Sequence, residues 1–121
     1  MTHPSSPITS HVLDTALGRP ARKLGVRLDA LDGAGAWQTL ADRVTGDDGR
    51  VTDLLPAAPL TPRTYRLTFA TGPYFVGSGR PAFYPRVEVI FEVSAEASAA
   101  GEHFHIPLLV SPFGYSTYRG S

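Results

Sequence analysis

The chain has 121 residues and a mass of 13.0 kDa, room for one compact domain and too little for two. Eleven Lys and Arg balance eleven Asp and Glu, with 42% hydrophobic and 18% charged residues, so neither a nucleic-acid binder nor a polybasic membrane anchor is expected. Cysteine is absent, which removes a disulfide scaffold, a thiolate metal site and a cysteine nucleophile together.

The opening "MTHPSSPITS" has neither the charged start nor the apolar core of a secretion signal. The apolar runs at 87–93 and 106–110 are far shorter than the roughly 20 residues of a helical membrane span. The expectation is a cytoplasmic chain without a membrane partner, in which residues 1–7 are a flexible segment and 8–121 a single domain.

Twelve Gly and eleven Pro are dispersed between short apolar segments, a pattern of frequent turns that favours an all-β fold. Residues 8–14 read as a first strand and "TALGRPA" at 15–21 as a turn. Leu24, Val26 and Leu28 alternate with Gly25, Arg27 and Asp29, the period of two of a strand with one buried face. "DGAG" at 32–35 and "GDDGR" at 46–50 flank a segment from Trp37 to Thr45 and read as the turns of successive hairpins. Pro56, Pro59 and Pro62 bar a central strand from the next stretch.

Strand-forming residues resume at 65–71. The segment 71–83 fits either one short helix or a wide loop. Residues 84–93 form the strongest strand pattern, with Val87, Val89, Phe91 and Val93 on one side. The Ala-rich link at 94–102 fits a connecting loop at least as well as a helical turn. A strand at 104–110, a turn at "SPFG" and a last strand from Tyr115 complete seven or eight short strands, the count of a β-sandwich.

With no thiol available, chemistry falls to His, Arg, Tyr, Ser and carboxylates. His103 and His105 are two apart, so in a strand they share a face; two imidazoles alone do not make a tetrahedral zinc site, and proton chemistry is the better use. His11 lies inside the first strand, where it either faces water or finds a partner. Arg50 follows the glycine of a turn and reads equally as a solvated charge or a positioned one. Tyr118 and Arg119 crowd the segment "YSTYRGS", which fits either an edge strand with aromatic pairs or a segment lining a pocket.

Three segments together resemble the transthyretin-related family, and more narrowly its 5-hydroxyisourate hydrolase branch: "SHVLDTALGRPA" at 10–21, "DGR" at 48–50 and "HFHIPLLVSPFGYSTYRGS" at 103–121. "YRLTFATGPYF" and "FYPRVEVIFEV" extend the likeness over nearly the whole chain. The final "YRGS" together with "SHVLD" separates the enzyme branch from the hormone carriers, which share the fold but lack that tetrapeptide and the histidines.

The resemblance implies a two-sheet transthyretin-like β-sandwich with one short helix, at 71–81, assembled as a homotetramer, a dimer of dimers, with sites in the channel between dimers. It implies a purine-derived substrate whose six-membered ring is opened at its N1–C6 amide bond to a carboxylated ureidoimidazoline, and neither a cofactor nor a metal. Carried over position by position, the catalytic set is His11, Arg50, His105 and Ser121. Substrate is bound by His11, Arg50, Tyr118, Arg119, Gly120 and Ser121. One histidine serves as base while Arg50 grips and polarises the ring; the residues do not say which histidine. The competing expectations are a small-molecule carrier using the same channel, which would want apolar walls, and an immunoglobulin-like interaction domain, which leaves "YRGS" without a reason.

Overall fold

The computed structural model describes residues 6–121. Residues 1–5 of the expected flexible segment lie outside the described residues, while Ser6 is buried, its N–H donating to the Thr52 carbonyl at 3.1 Å. In chain order the elements are β1 (Ile8–Asp14), β2 (Arg19–Pro20), β3 (Gly25–Leu31), β4 (Trp37–Val44), β5 (Arg50–Val51), β6 (Thr64–Phe69), α1 (Thr71–Gly77), β7 (Val87–Glu92), α2 (Ala95–Ala99), β8 (Phe104–Ser111) and β9 (Gly114–Thr117). One sheet runs β2-β1-β8-β9 with β5 also pairing β1; the other runs β4-β3-β6-β7. The all-β two-sheet sandwich is the architecture the turn spacing predicts.

The period of two builds the core. Ile8 and Val12 of β1 and Ile106, Leu108 and Val110 of β8 face Val26 and Leu28 of β3, Leu67 and Phe69 of β6 and Val87 of β7, all at most 5% exposed. Each such side chain contributes roughly 1.5–3 kcal/mol by leaving water. The intervening residues of β1 and β8 therefore point outward, away from the other sheet.

Two features depart from the sequence expectation and two go beyond it. The "GDDGR" turn does not close a hairpin: β4 belongs to one sheet and β5 to the other, so the turn carries the chain across the sandwich. Gly49 allows this passage, since its φ of +77° suits glycine and a Cβ there would stand 2.4 Å from the Val12 carbonyl oxygen. The strand expected at 84–93 begins only at Val87, after Pro85.

Besides α1, the Ala-rich link forms a second helical turn, α2, because Ser94 caps it by accepting from the Ala97 N–H at 3.0 Å. Finally, β1 and β8 pair in parallel over their whole length. No helix among the described residues is long and apolar enough to cross a membrane.

Helix α1 falls within the expected span and is pinned to the end of β1. Asp14, fully buried, accepts hydrogen bonds from the Tyr74 hydroxyl at 2.8 Å and from Arg80 at 2.7 Å. Burial opposes the charge on Asp14, but these partners and the Leu17 N–H outweigh it and hold the carboxyl below its ordinary range.

Candidate active site

The outward face of β1 and β8 collects the polar residues singled out in the sequence. Thr9 and His11 of β1 and His105 of β8 alternate with the core residues, so all three project from the same face. The parallel register sets Thr9 beside His105, and the antiparallel pairing with β5 sets Arg50 directly opposite His11. Registered partners share a face, so His11, Arg50 and His105 converge although they lie far apart in sequence. The crossing turn is what delivers Arg50 there.

Hydrogen bonds define the two histidines differently. His11 Nε2 lies 2.9 Å from the Asp48 carbonyl oxygen; a carbonyl only accepts, so Nε2 carries the hydrogen and Nδ1 is bare in the neutral ring. His105 Nδ1 lies 2.9 Å from the Thr9 hydroxyl, and the described residues give its Nε2 no partner. Burial first, and then the guanidinium of Arg50 and the neighbouring imidazoles of His11 and His103, hold the His105 imidazolium below its ordinary pKa of 6.5. His105 is therefore neutral near pH 7, with one nitrogen tethered and one open.

Asp48 shapes this corner twice over. Its Oδ1 accepts from the Arg50 N–H at 3.0 Å, which closes the turn, and its Oδ2 stands 3.9 Å from Arg50 Nε. The Arg50 side chain is nonetheless half exposed, so that pair is weak and leaves the planar fork of donors available to a ligand.

The residues of "YRGS" divide. Gly120 donates its N–H to the His105 carbonyl at 2.7 Å, and a Cβ at this position would meet His105 Cδ2 at 2.6 Å; only glycine lets the tail lie against the ring. Ser121 follows, exposed, on the same tail. Arg119 turns away from His105, its guanidinium 4.4 Å over the Phe104 ring and 3.8 Å from Glu102. Tyr118 and Arg119 border an apolar cleft of about 290 Å³ with Val89, Phe91, Phe104 and Ile106, between the sheets and not on the histidine face.

His103, the other half of the H-x-H pair, precedes β8 and is exposed; its Nε2 lies 3.3 Å from the same Thr9 hydroxyl. Both imidazoles therefore meet at Thr9. Sequence reasoning missed Thr9 and Asp48. The signal for Thr9 was its place two residues before His11 on one strand face, and for Asp48 the Asp-Gly turn chemistry just ahead of Arg50.

A sequence profile described as the HIUase/Transthyretin family matches residues 8–120. A protein of Mus musculus named 5-hydroxyisourate hydrolase is 45% identical over 122 residues, covering 100% of both chains. Among solved structures, the 5-hydroxyisourate hydrolase of Klebsiella pneumoniae superposes with a TM-score of 0.81 at 36% identity, over 98% of this chain and 100% of that one. Sea bream transthyretin in complex with thyroxine superposes with a TM-score of 0.88 at 28% identity, over 95% of each chain. Backbone likeness alone thus joins the chain to a hydrolase and to a transthyretin holding thyroxine alike.

Proposed function

The chain belongs to the HIUase/Transthyretin family, and we propose that it is a hydrolase opening the six-membered ring of 5-hydroxyisourate at its N1–C6 amide bond. The observation that carries this reading is the convergence of His11, Arg50 and His105 on one outward face, through the β1–β5 and β1–β8 registers. Two imidazoles and a guanidinium suit a polar, flat heterocycle with a carbonyl to polarise. They are a poor wall for an apolar ligand, which weighs against the carrier reading.

Hydrolysis requires that water lose a proton as it attacks the carbonyl, and that the amide nitrogen gain one as it leaves. His105 is the base: it is neutral, and its untethered Nε2 takes the proton from water. The imidazolium so formed is disfavoured by its burial and by the charge of Arg50, so it gives the proton readily to the departing N1 and is regenerated. Arg50 stays charged throughout; its donors orient the ring and stabilise the oxyanion of the tetrahedral intermediate.

His11, with Nε2 committed to the Asp48 carbonyl, offers Nδ1 to water or substrate. Ser121 offers its hydroxyl to the ring edge, and Gly120 closes the tail over His105. Tyr118 and Arg119 seat that tail, and Tyr118, 57% exposed, is free to meet substrate across an interface. The histidine face is open on the single chain, which supports a site completed by a second subunit in a homotetramer. The products are the ring-opened carboxylate and its ureido group on one molecule, with no covalent enzyme intermediate.

The test is the ultraviolet decay of 5-hydroxyisourate generated in place from urate by a urate oxidase, with catalytic amounts of the protein. The expected result is acceleration well above the spontaneous rate, reduced by roughly 10²-fold or more in His105→Ala and in Arg50→Ala. A folded oligomer that leaves the decay unaltered would overturn the hydrolase reading in favour of ligand binding in the channel.

A further inference from the structure

Thr9 is a polar side chain only 6% exposed, wedged between two imidazoles. Its Oγ1 is 2.9 Å from His105 Nδ1 and 3.3 Å from His103 Nε2. A hydroxyl owns one hydrogen and two acceptor lone pairs, and the described residues offer the Thr9 hydrogen no acceptor but the two rings, so it is satisfied only by donating to one ring while accepting from the other. Two arrangements satisfy both contacts and also bond the buried hydroxyl hydrogen. In one, His105 Nδ1–H donates to Thr9, Thr9 donates to His103 Nε2, and His105 Nε2 is bare. In the other, His103 Nε2–H donates to Thr9, Thr9 donates to His105 Nδ1, and neutral His105 carries its hydrogen on Nε2, where it cannot take a proton from water.

His103 decides between them. Neutral His103 with its hydrogen on Nδ1 admits the first arrangement. Protonated His103 has hydrogens on both nitrogens and donates to Thr9, so the buried hydroxyl hydrogen has only His105 Nδ1 left to bond and the second arrangement is favoured. We propose that Thr9 and His103 are positioning residues that select the tautomer of His105: neutral His103 supports the working base and protonated His103 an idle one. The consequence for catalysis rests on the hydrolase reading, whereas the tautomer is a property of the folded chain alone.

The titratable and charged groups about His105 are His11 from β1, Arg50 from β5 and His103 ahead of β8, with the tail packed over its ring through Gly120. Arg119 of that tail is engaged with Glu102 and Phe104. His103 is exposed, so it exchanges protons with solvent directly and transmits its state inward through one hydroxyl.

The experiment is nitrogen NMR of the intact, histidine-labelled protein, reading the Nδ1 and Nε2 shifts of His105 against pH, alongside steady-state kinetics. In alkaline buffer, wild type is expected to show His105 protonated at Nδ1 and bare at Nε2. Thr9→Val, which keeps shape and removes the hydroxyl, is expected to shift His105 toward the Nε2–H form and to lower kcat by roughly 10²-fold with KM little changed; Thr9→Ser restores both.

His103→Gln, at an exposed position, is expected to make the His105 tautomer independent of pH over the range in which wild type changes it. His105 found in the Nε2–H form in wild type, or unmoved by Thr9→Val and His103→Gln alike, would overturn the proposal even if the protein hydrolyses 5-hydroxyisourate. The expected tautomer shifts in a protein without that hydrolysis would uphold it and sink the hydrolase reading instead.

Discussion

Each sheet turns a polar cluster outward, and the two clusters differ in what they leave open. On the β4-β3-β6-β7 sheet, Asp29 is 1% exposed and fully engaged. It accepts from Thr39 at 2.8 Å and from Arg66 at 2.9 and 3.2 Å, with Arg27 at 3.3 Å, while Trp37 lies 4.2 Å under the Arg66 guanidinium. On the opposite sheet His11 and His105 each retain a nitrogen without a protein partner, and the Arg50 fork is half solvated. The closed cluster has spent its hydrogen-bonding capacity on the fold; the open one has it left for a ligand.

The comparison breaks if charge on either face serves both purposes, and Asp29→Asn applies the largest load. Removing the charge strands Arg66, 16% exposed, and is expected to cost about 3 kcal/mol, the lower end for a broken buried pair because water still reaches that guanidinium. The catalytic rate of the folded variant should be unchanged. Burial raises the Asp29 pKa, but the Thr39 and Arg66 hydrogen bonds and the charges of Arg27 and Arg66 outweigh it and leave it lowered from 3.8.

A depressed carboxylate stabilises the fold fully above its unfolded pKa, and this contribution is lost as pH falls through the folded value. Wild type should therefore lose stability in acid, below about pH 4, more steeply than Asp29→Asn. Equal acid slopes in denaturant melts would assign the lowered pKa no part in the fold, and a large loss of rate in the variant would end the division between the faces.

Gly120→Ala tests the open cluster with a smaller effect. The added methyl meets His105 Cδ2 at 2.6 Å and the His105 carbonyl oxygen at 3.3 Å, so the ring or the tail must move. A displacement of about 1 Å at a reacting group costs roughly 10²-fold in rate, and the tail lies outside the core, so melting should barely change. Loss of stability with full turnover would reverse the roles assigned here.

Much of this was legible because a half-buried strand writes its face into alternate residues. Val26 and Leu28, or Val87 and Val89, sort themselves by that rule, and the same rule aligned His103 with His105. The strands β2 and β5 hold two residues each, too few to leave a period, so the partner of His11 was not readable from spacing. The "GDDGR" segment carries the chemistry of a tight turn whether its ends rejoin one sheet or cross to the other, and only the packing of Gly49 against Val12 distinguishes them. Thr9 escaped notice for a related reason: between Ile8 and Ser10 a threonine reads as an ordinary strand former, and its two imidazole partners come from the far end of the chain.

The smallest expected effect sharpens the contrast from within the closed face. Thr68 Oγ1, beside Arg27 in the β3–β6 register, is buried and unpartnered among the described residues. A hydroxyl buried without a partner is a net cost, and replacing it with a methyl of the same shape removes the cost without opening a cavity. Thr68→Val should accordingly raise stability by up to about 1 kcal/mol, read as a higher denaturant midpoint at unchanged slope, with the catalytic rate untouched. The analogous change at Thr9 on the other face is expected to cost activity. Two buried threonine hydroxyls of nearly equal exposure would then differ in sign of effect for one reason: the Thr9 hydroxyl bonds two imidazoles and the Thr68 hydroxyl bonds nothing.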